Sequence, residues 1–255
     1  MELNQDTYSK ENVVKQYDQL DFIFKGEQAI FSEYNAFLKD AAVLDIGIGA
    51  GRTTQYLTKL CKTYVGVDYS NAFVNHCKRK FVKTKNALFQ FADARQMPQF
   101  ADKSFDFIIF SFNGIDCVDF VGRTSIMNEC RRLLANDGIF CFSFHNSSYI
   151  PKLFSLLLAK NPFKWPAMWN RYKMVNKLNP NKEAYLKKDY VILRDGADDF
   201  GTDVMYLKPA FQVQMLNEIG FTQQGFYDVA KGHNIPASDM ADSKAQWIYC
   251  VNKKK

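Results

Sequence analysis

Ala42-Val-Leu-Asp-Ile-Gly-Ile-Gly-Ala-Gly51 is the stretch on which the fold turns. Ala42–Ile46 is a short apolar run broken only by Asp45, as expected of a strand buried on both faces. Gly47, Gly49 and Gly51 follow at every second position, and Thr53–Leu60 then reads as a helix. Glycines at such a turn let the chain reverse tightly and let a ligand approach the main chain. A buried strand, a glycine loop and a helix in that order open a Rossmann-like nucleotide-binding unit.

The same alternation continues outward. Tyr64–Val67, Leu88–Phe91, Phe105–Ser111 and Ile139–Phe144 read as further strands, with helices over about 70–80 and 120–134. Near the end, Phe211–Ile219 reads as a helix capped by Gly220, and Phe221–Val229 and Gln246–Val251 as the last two strands. Strands alternating with helices predict an α/β fold. The expected sheet is Rossmann-like, seven-stranded and mostly parallel, with helices on both faces and a lid-like insertion before the last two strands. Residues 1–40 have a helical apolar period and are read as a cap. Residues 41–146 and 206–255 are read as the Rossmann-like domain. Residues 147–205 break the rhythm and are read as a substrate-side insertion, with a helix over Ser155–Lys160 and a hairpin from Tyr190–Arg194 and Thr202–Leu207.

Composition narrows the class. The 255 residues are 47% hydrophobic and 24% charged, which suits an ordinary globular chain. The first 20 residues lack an apolar run like that of a secretory signal, and no apolar run is long enough to span a bilayer. The six cysteines form no C-x-x-C pair, so they read as reduced thiols of a cytoplasmic protein, with no metal expected. The net charge is +6, but Gly138–Lys182 contains no Asp or Glu and carries +7 by itself. The rest of the chain is therefore close to neutral.

The glycine loop alone fits several nucleotides. The dinucleotide fingerprint G-x-G-x-x-G/A, counted from Gly47, would place its third small residue where Arg52 stands. Asp45 at the strand end would repel a pyrophosphate, whereas a ligand with an amino group and a sulfonium tolerates it. Asp68 ends the second strand, 21 residues after Gly47, where a carboxylate accepts from ribose hydroxyls. Asp93 ends the third strand and can accept from the exocyclic amine of adenine. Ser111-Phe-Asn-Gly114 follows the fourth strand and is read as the wall beside the methyl donor. Acidic residues at strand ends also serve as helix N-caps, but three in register with a glycine loop point to S-adenosylmethionine.

Val43-Leu-Asp-Ile-Gly-Ile-Gly-Ala-Gly51, Val65-Gly-Val-Asp-Tyr-Ser70, Phe91-Ala-Asp-Ala94 and Phe105-Asp-Phe-Ile-Ile109 together resemble the class I S-adenosylmethionine-dependent methyltransferases over about residues 40–145. Leu134-Ala-Asn-Asp-Gly-Ile139 resembles the family's turn into the fifth strand. The resemblance implies a seven-stranded sheet with one antiparallel strand. It also implies cofactor contacts from Asp45, Gly47, Gly49, Asp68, Asp93, Ala94, Phe112 and Asn113, to which Ile48, Tyr69 and Tyr17 of the cap are added as further candidates.

The implied reaction is in-line displacement, in which an O or N atom of the acceptor attacks the sulfonium methyl. Such an enzyme chiefly aligns its reactants and shields them from water. His145, directly after the fifth strand, is the candidate general base, with Tyr206 and His233 behind it. The segment after the fourth strand lacks the Asn/Asp-Pro-Pro-Tyr/Phe wall of enzymes acting on exocyclic base amines. Cys117 follows Asp116 and lacks the Pro-Cys context of cytosine-C5 enzymes. The basic insertion suggests a small anionic acceptor, phosphorylated or nucleotide-linked. Phe163, Trp165, Trp169 and Tyr172 among the lysines also fit a peripheral membrane surface. An RNA methyltransferase or a non-catalytic methyltransferase-like partner protein are the alternatives.

Overall fold

The computed structural model describes residues 11–156, 161–180 and 182–255. Among the described residues, three short helices, α1 (Glu11–Asp18), α2 (Lys25–Glu33) and α3 (Asn35–Leu38), precede the first strand. The alternating unit then runs β1 (Ala42–Ile46), α4 (Thr54–Leu60), β2 (Thr63–Asp68), α5 (Asn71–Lys80), β3 (Ala87–Phe91), β4 (Phe105–Phe110), α6 (Phe120–Leu133) and β5 (Leu134–Asn146). Helices α7 (Ile150–Leu153), α8 (Trp165–Leu178) and α9 (Lys182–Lys187) and the hairpin β6 (Tyr190–Leu193) and β7 (Val204–Leu207) follow. Helix α10 (Pro209–Ile219), β8 (Phe221–Asp228) and β9 (Trp247–Lys254) complete the chain. The Ser155–Lys160 helix expectation falls largely on 157–160, outside the described residues.

Seven strands lie in the order β3-β2-β1-β4-β5-β9-β8, all parallel except β9, which runs antiparallel to both β5 and β8. Helix α10 gives the crossover into β8, and β9 then returns between β5 and β8, antiparallel to both. The expected hairpin forms, and β7 joins the tip of β5 through His145↔Tyr206 and Asn146↔Leu207. It therefore extends the sheet to nine strands at the end where ligands bind.

The apolar strands are buried on both faces, which explains why they read as runs and not as alternations. Leu44, Ile46, Ile108, Phe110, Phe140 and Phe142 pack into one cluster. Val43, Phe107, Ile109, Ile139 and Cys141 pack into the cluster on the opposite face. The α6–β5 junction is tighter than the sequence suggests. β5 pairs with β4 from Leu134 onward, with a register shift at Phe105/Phe107 and Asp137 in the left-handed region at φ 65°. Gly220 caps α10 with φ 97°, its N–H donating to the carbonyls of Leu216 and Asn217.

Candidate active site

The carboxyl ends of β1, β2 and β4 converge on a cavity. The turn after β1 is held by two N–H groups, Gly47 and Ile48, which donate to the carbonyl of Val67 at 2.8 and 3.2 Å. Two glycines there have no substitute. Gly47 has φ 67°, and a Cβ on it would lie 2.6 Å from the Phe110 ring. Gly51 has φ 83°, and a Cβ would lie 2.4 Å from the Phe81 ring. At Gly49 a Cβ would meet only Tyr17, at 3.5 Å.

Gly47, Gly49, Asp68, Tyr69, Ala94 and Phe112 line this cavity together with Tyr17 of α1. Among the described residues, Asp68 is the only charged side chain lining it. Its two oxygens accept from the Gly49 N–H at 3.0 Å and the Ser70 N–H at 2.9 Å. Burial pushes its pKa up to about 6, against the lowering effect of those backbone donors. This lining fits S-adenosylmethionine and fits a pyrophosphate poorly. Among the described residues no lysine or arginine lines it to neutralise phosphates, while a carboxylate and apolar walls suit a cationic sulfonium nucleoside.

Two expected aspartates play other parts. Asp45 is fully buried and lines no described cavity, its carboxylate accepting from Thr53 at 2.6 Å and Tyr64 at 2.8 Å. Its other oxygen, Oδ1, has no hydrogen-bond partner among the described residues. Asp45 thus braces the loop from beneath, and burial pushes its pKa up to about 6. Asp93 turns outward into a bidentate pair with Arg95, at 2.5–3.0 Å, so Ala92 and Ala94 line the cavity in its place. Ile48 packs into the apolar cluster with Val43 and does not line the cavity.

The sequence reading missed Glu27. Arg52 and Glu27 form a double ion pair with both bonds at 2.6 Å, fully out of solvent on the Glu27 side. The Arg52 guanidinium also lies 5.1–5.6 Å from the rings of Phe22, Phe24 and Phe112. Glu27 further accepts from Tyr249 at 2.5 Å and from the Phe24 N–H at 2.9 Å. The residue that interrupts the dinucleotide fingerprint therefore ties the glycine loop to the N-terminal segment and to β9.

A second cavity adjoins the first, sharing Tyr17, Phe112 and Cys117. Asn113, His145, Arg171, Asp195, Asp198 and Trp247 complete much of its wall. Phe112 and Asn113 both adopt left-handed backbone, at φ 54° and 56°, and the Asn113 N–H donates to Ser143 Oγ at 2.8 Å. His145 is oriented by Asp116, whose Oδ2 accepts from the backbone N–H at 2.7 Å and pairs with ring Nδ1 at 2.8 Å. The other Asp116 oxygen is ion-paired with Arg123, buried with it at zero exposure. Arg123 in turn donates to Gln212 Oε1 at 2.5 Å. A carboxylate held by Arg123 accepts hydrogen bonds, so Nδ1 carries the proton and Nε2 is left as an acceptor on the cavity side. Asn113 Nδ2 lies 3.4 Å from that Nε2.

Tyr206 is not on the cavity wall. It is fully buried, packs 4.7 Å from the His145 ring, and donates to Asp195 Oδ2 at 2.7 Å. Burial, reinforced by Asp195, pushes its pKa far above the ordinary value, so it supports His145 and cannot act as a base near neutrality. His233 lines a separate cavity with Asp228 and Asp239. Of the basic residues between Gly138 and Lys182, only Arg171 lines the second cavity among the described residues. Lys152, Lys164, Lys173 and Lys177 are not among its lining residues.

Residues 44–142 match the model of a methyltransferase domain family. Among curated proteins, none matches the sequence. Solved structures share the fold. An S-adenosylmethionine-dependent methyltransferase from Mesorhizobium loti aligns with TM-score 0.62 and 13% identity over 89% of this chain and 98% of that one. One from Methanosarcina mazei aligns with TM-score 0.60 and 18% identity over 88% and 96%. The Burkholderia thailandensis 1,6-didemethyltoxoflavin-N1-methyltransferase, solved with S-adenosylhomocysteine bound, aligns with TM-score 0.58 and 13% identity over 91% and 78%. Residues 44–142 are a class I methyltransferase domain, and the chain is an enzyme with S-adenosylmethionine as its cofactor.

Proposed function

We propose that this methyltransferase transfers its methyl group to an O or N atom of a small acceptor bound in the second cavity, with His145 as general base. The observation that carries the reading is the His145–Asp116 pair, which fixes the imidazole on the wall of a cavity adjoining the cofactor site. When bound, S-adenosylmethionine supplies a methyl group activated by its sulfonium. Gly47, Gly49, Asp68 and Tyr69 would hold it, with Asp68 accepting from the ribose and Phe112 and Tyr17 closing the side toward the acceptor.

An acceptor O or N atom held in the second cavity would receive that methyl group, and the walls of the two cavities would align the pair. The proton of the acceptor O–H or N–H passes to His145 Nε2. The resulting imidazolium is stabilised by Asp116, as a buried carboxylate stabilises other catalytic histidines. Arg123 and Gln212 keep Asp116 in place. Phe112 and Trp247, 5.6 Å apart and edge-on, give the cavity an aromatic wall that excludes water.

Arg171 is the group that favours an anionic acceptor, such as a phosphorylated or nucleotide-linked metabolite. One of its nitrogens donates to the Asp195 carbonyl at 2.9 Å, and its remaining donors suit a phosphate or carboxylate. The Asp195 carboxylate is already engaged by Tyr206 and the Ala197 N–H. On this reading residues 1–40 cap the cofactor and 147–205 form the substrate-side lid. The protein is placed in the cytoplasm, where its six unpaired cysteines would stay reduced. A labelled-methyl transfer screen over phosphorylated, nucleotide-linked and neutral metabolites tests the reading. Methylation of an anionic acceptor that is lost in His145→Ala is expected. Transfer that is indifferent to His145, or confined to uncharged acceptors, would overturn it.

A further inference from the structure

Helix α8 carries a surface that the methyl-transfer site does not use. The 3-10 turn Pro162–Lys164 leads into it, and every residue from Asn161 to Ala167 is exposed. Phe163 is 92% exposed, Trp165 44% and Trp169 45%, although large aromatics gain most from leaving water. The helix is anchored further along, where Val175 and Asn179 are buried. Exposed lysines interleave with the aromatics: Lys164, Lys173 and Lys177. The Lys173 ammonium lies 5.4 Å from the Trp169 ring.

No acidic residue occurs between Gly138 and Lys182 to offset these charges. Aromatic rings beside lysine ammoniums match the two layers of a bilayer interface, where rings settle at headgroup level and ammoniums meet phosphates. Among the described residues no helix is long and apolar enough to cross a membrane, so contact through α8 would be peripheral. A second copy of this chain is a poor occupant for the same face, because a two-fold contact would set lysines against lysines.

We propose that α8 and the turn before it dock on an anionic lipid surface through Phe163, Trp165 and Trp169, with Lys164, Lys173 and Lys177 facing the headgroups. The same helix carries Arg171 to the acceptor cavity, so docking would hold one wall of that cavity at the membrane.

The test is co-sedimentation of the full chain with two kinds of vesicle, phosphatidylcholine alone and equal parts phosphatidylcholine and phosphatidylglycerol. Binding to the mixed vesicles only is expected, and it should weaken as salt rises. The triple variant Phe163→Ser, Trp165→Ser, Trp169→Ser should bind at least about tenfold more weakly, and Lys164→Glu, Lys173→Glu, Lys177→Glu likewise. Calorimetric binding of S-adenosylhomocysteine, unchanged in both variants, shows that they fold. Absence of binding to the mixed vesicles, or equal binding by the aromatic variant, would overturn the proposal. So would self-association in the ultracentrifuge that the aromatic variant abolishes without any vesicle binding, since a second copy would then be the occupant.

Discussion

The two cavities meet at Phe112 but are built in opposite ways. The cofactor cavity is walled largely by strand ends and the loops directly after them, and Asp68 is its one charged group among the described residues. The acceptor cavity draws on five separate parts of the chain: α1, the turn after β4, the end of β5, the insertion and β9. It carries both signs of charge, in Arg171, Asp195 and Asp198. A site at strand ends inherits the rigidity of the sheet. A site between elements depends on long-range pairs, here Arg52–Glu27 and Asp116–His145. Damage to the first kind of site should appear in cofactor affinity, and damage to the second in turnover, acceptor binding or stability.

The strongest separation is expected from His145→Ala. It should lower kcat by roughly 100- to 10,000-fold, the usual worth of a general base, while S-adenosylhomocysteine titrates with unchanged affinity. A parallel loss of cofactor affinity would mean that the two cavities are not independent. Next comes Glu27→Ala, which strands the Arg52 guanidinium in a buried place. Breaking such a pair costs about 3–5 kcal/mol, to be read as a lower denaturation midpoint in urea. A variant as stable as the parent would show that the N-terminal segment is not anchored through Arg52.

Acidity offers a subtler separation. Burial raises Asp68 from its ordinary 3.8 to about 6. The folded protein therefore holds that proton more tightly than the unfolded chain does between those values. The contribution of Asp68 to stability is present below the unfolded value and is lost as pH rises through about 6. Asp45, raised to about 6 as well, acts in the same direction. Cofactor binding has the opposite sign, because only the ionised Asp68 accepts from both ribose hydroxyls. Affinity should fall up to about tenfold per pH unit below 6, and Asp68→Asn should flatten that dependence. The smallest effect is expected at Arg171→Gln, with KM for an anionic acceptor rising roughly fivefold and kcat little changed, since Arg171 is itself exposed.

The same contrast explains what could be read from the chain alone. Strands β1, β2 and β4, the glycine turn and Asp68 are local features: apolar runs, a glycine spacing, a carboxylate one strand further on. His145 is legible because it stands at the carboxyl end of the fifth strand. Asp116, Arg123 and Gln212 are not, because the relay spans 89 residues from Arg123 to Gln212 and its members lie in a turn and two different helices. Glu27 carries no local signal, because its partner Arg52 lies 25 residues further along the chain. Asp93 pairs with Arg95, which stands only two residues away. An arginine at that spacing was a local warning that the carboxylate had another occupation. The net charge of the insertion is of another kind, since it records how many basic residues there are and not which of them line the cavity.

The central claim is that the loop after β1 and the carboxylate at the end of β2 form one cofactor site. Calorimetric titration of S-adenosylhomocysteine into the parent protein and into Asp68→Ala at neutral pH tests it most directly. The parent should bind one molecule, and the variant should lose about 1–3 kcal/mol through its missing hydrogen bonds, with no change in thermal midpoint large enough to indicate unfolding. Equal affinity in a folded Asp68→Ala protein would contradict the account and reduce Asp68 to a brace for the Gly49 and Ser70 backbone.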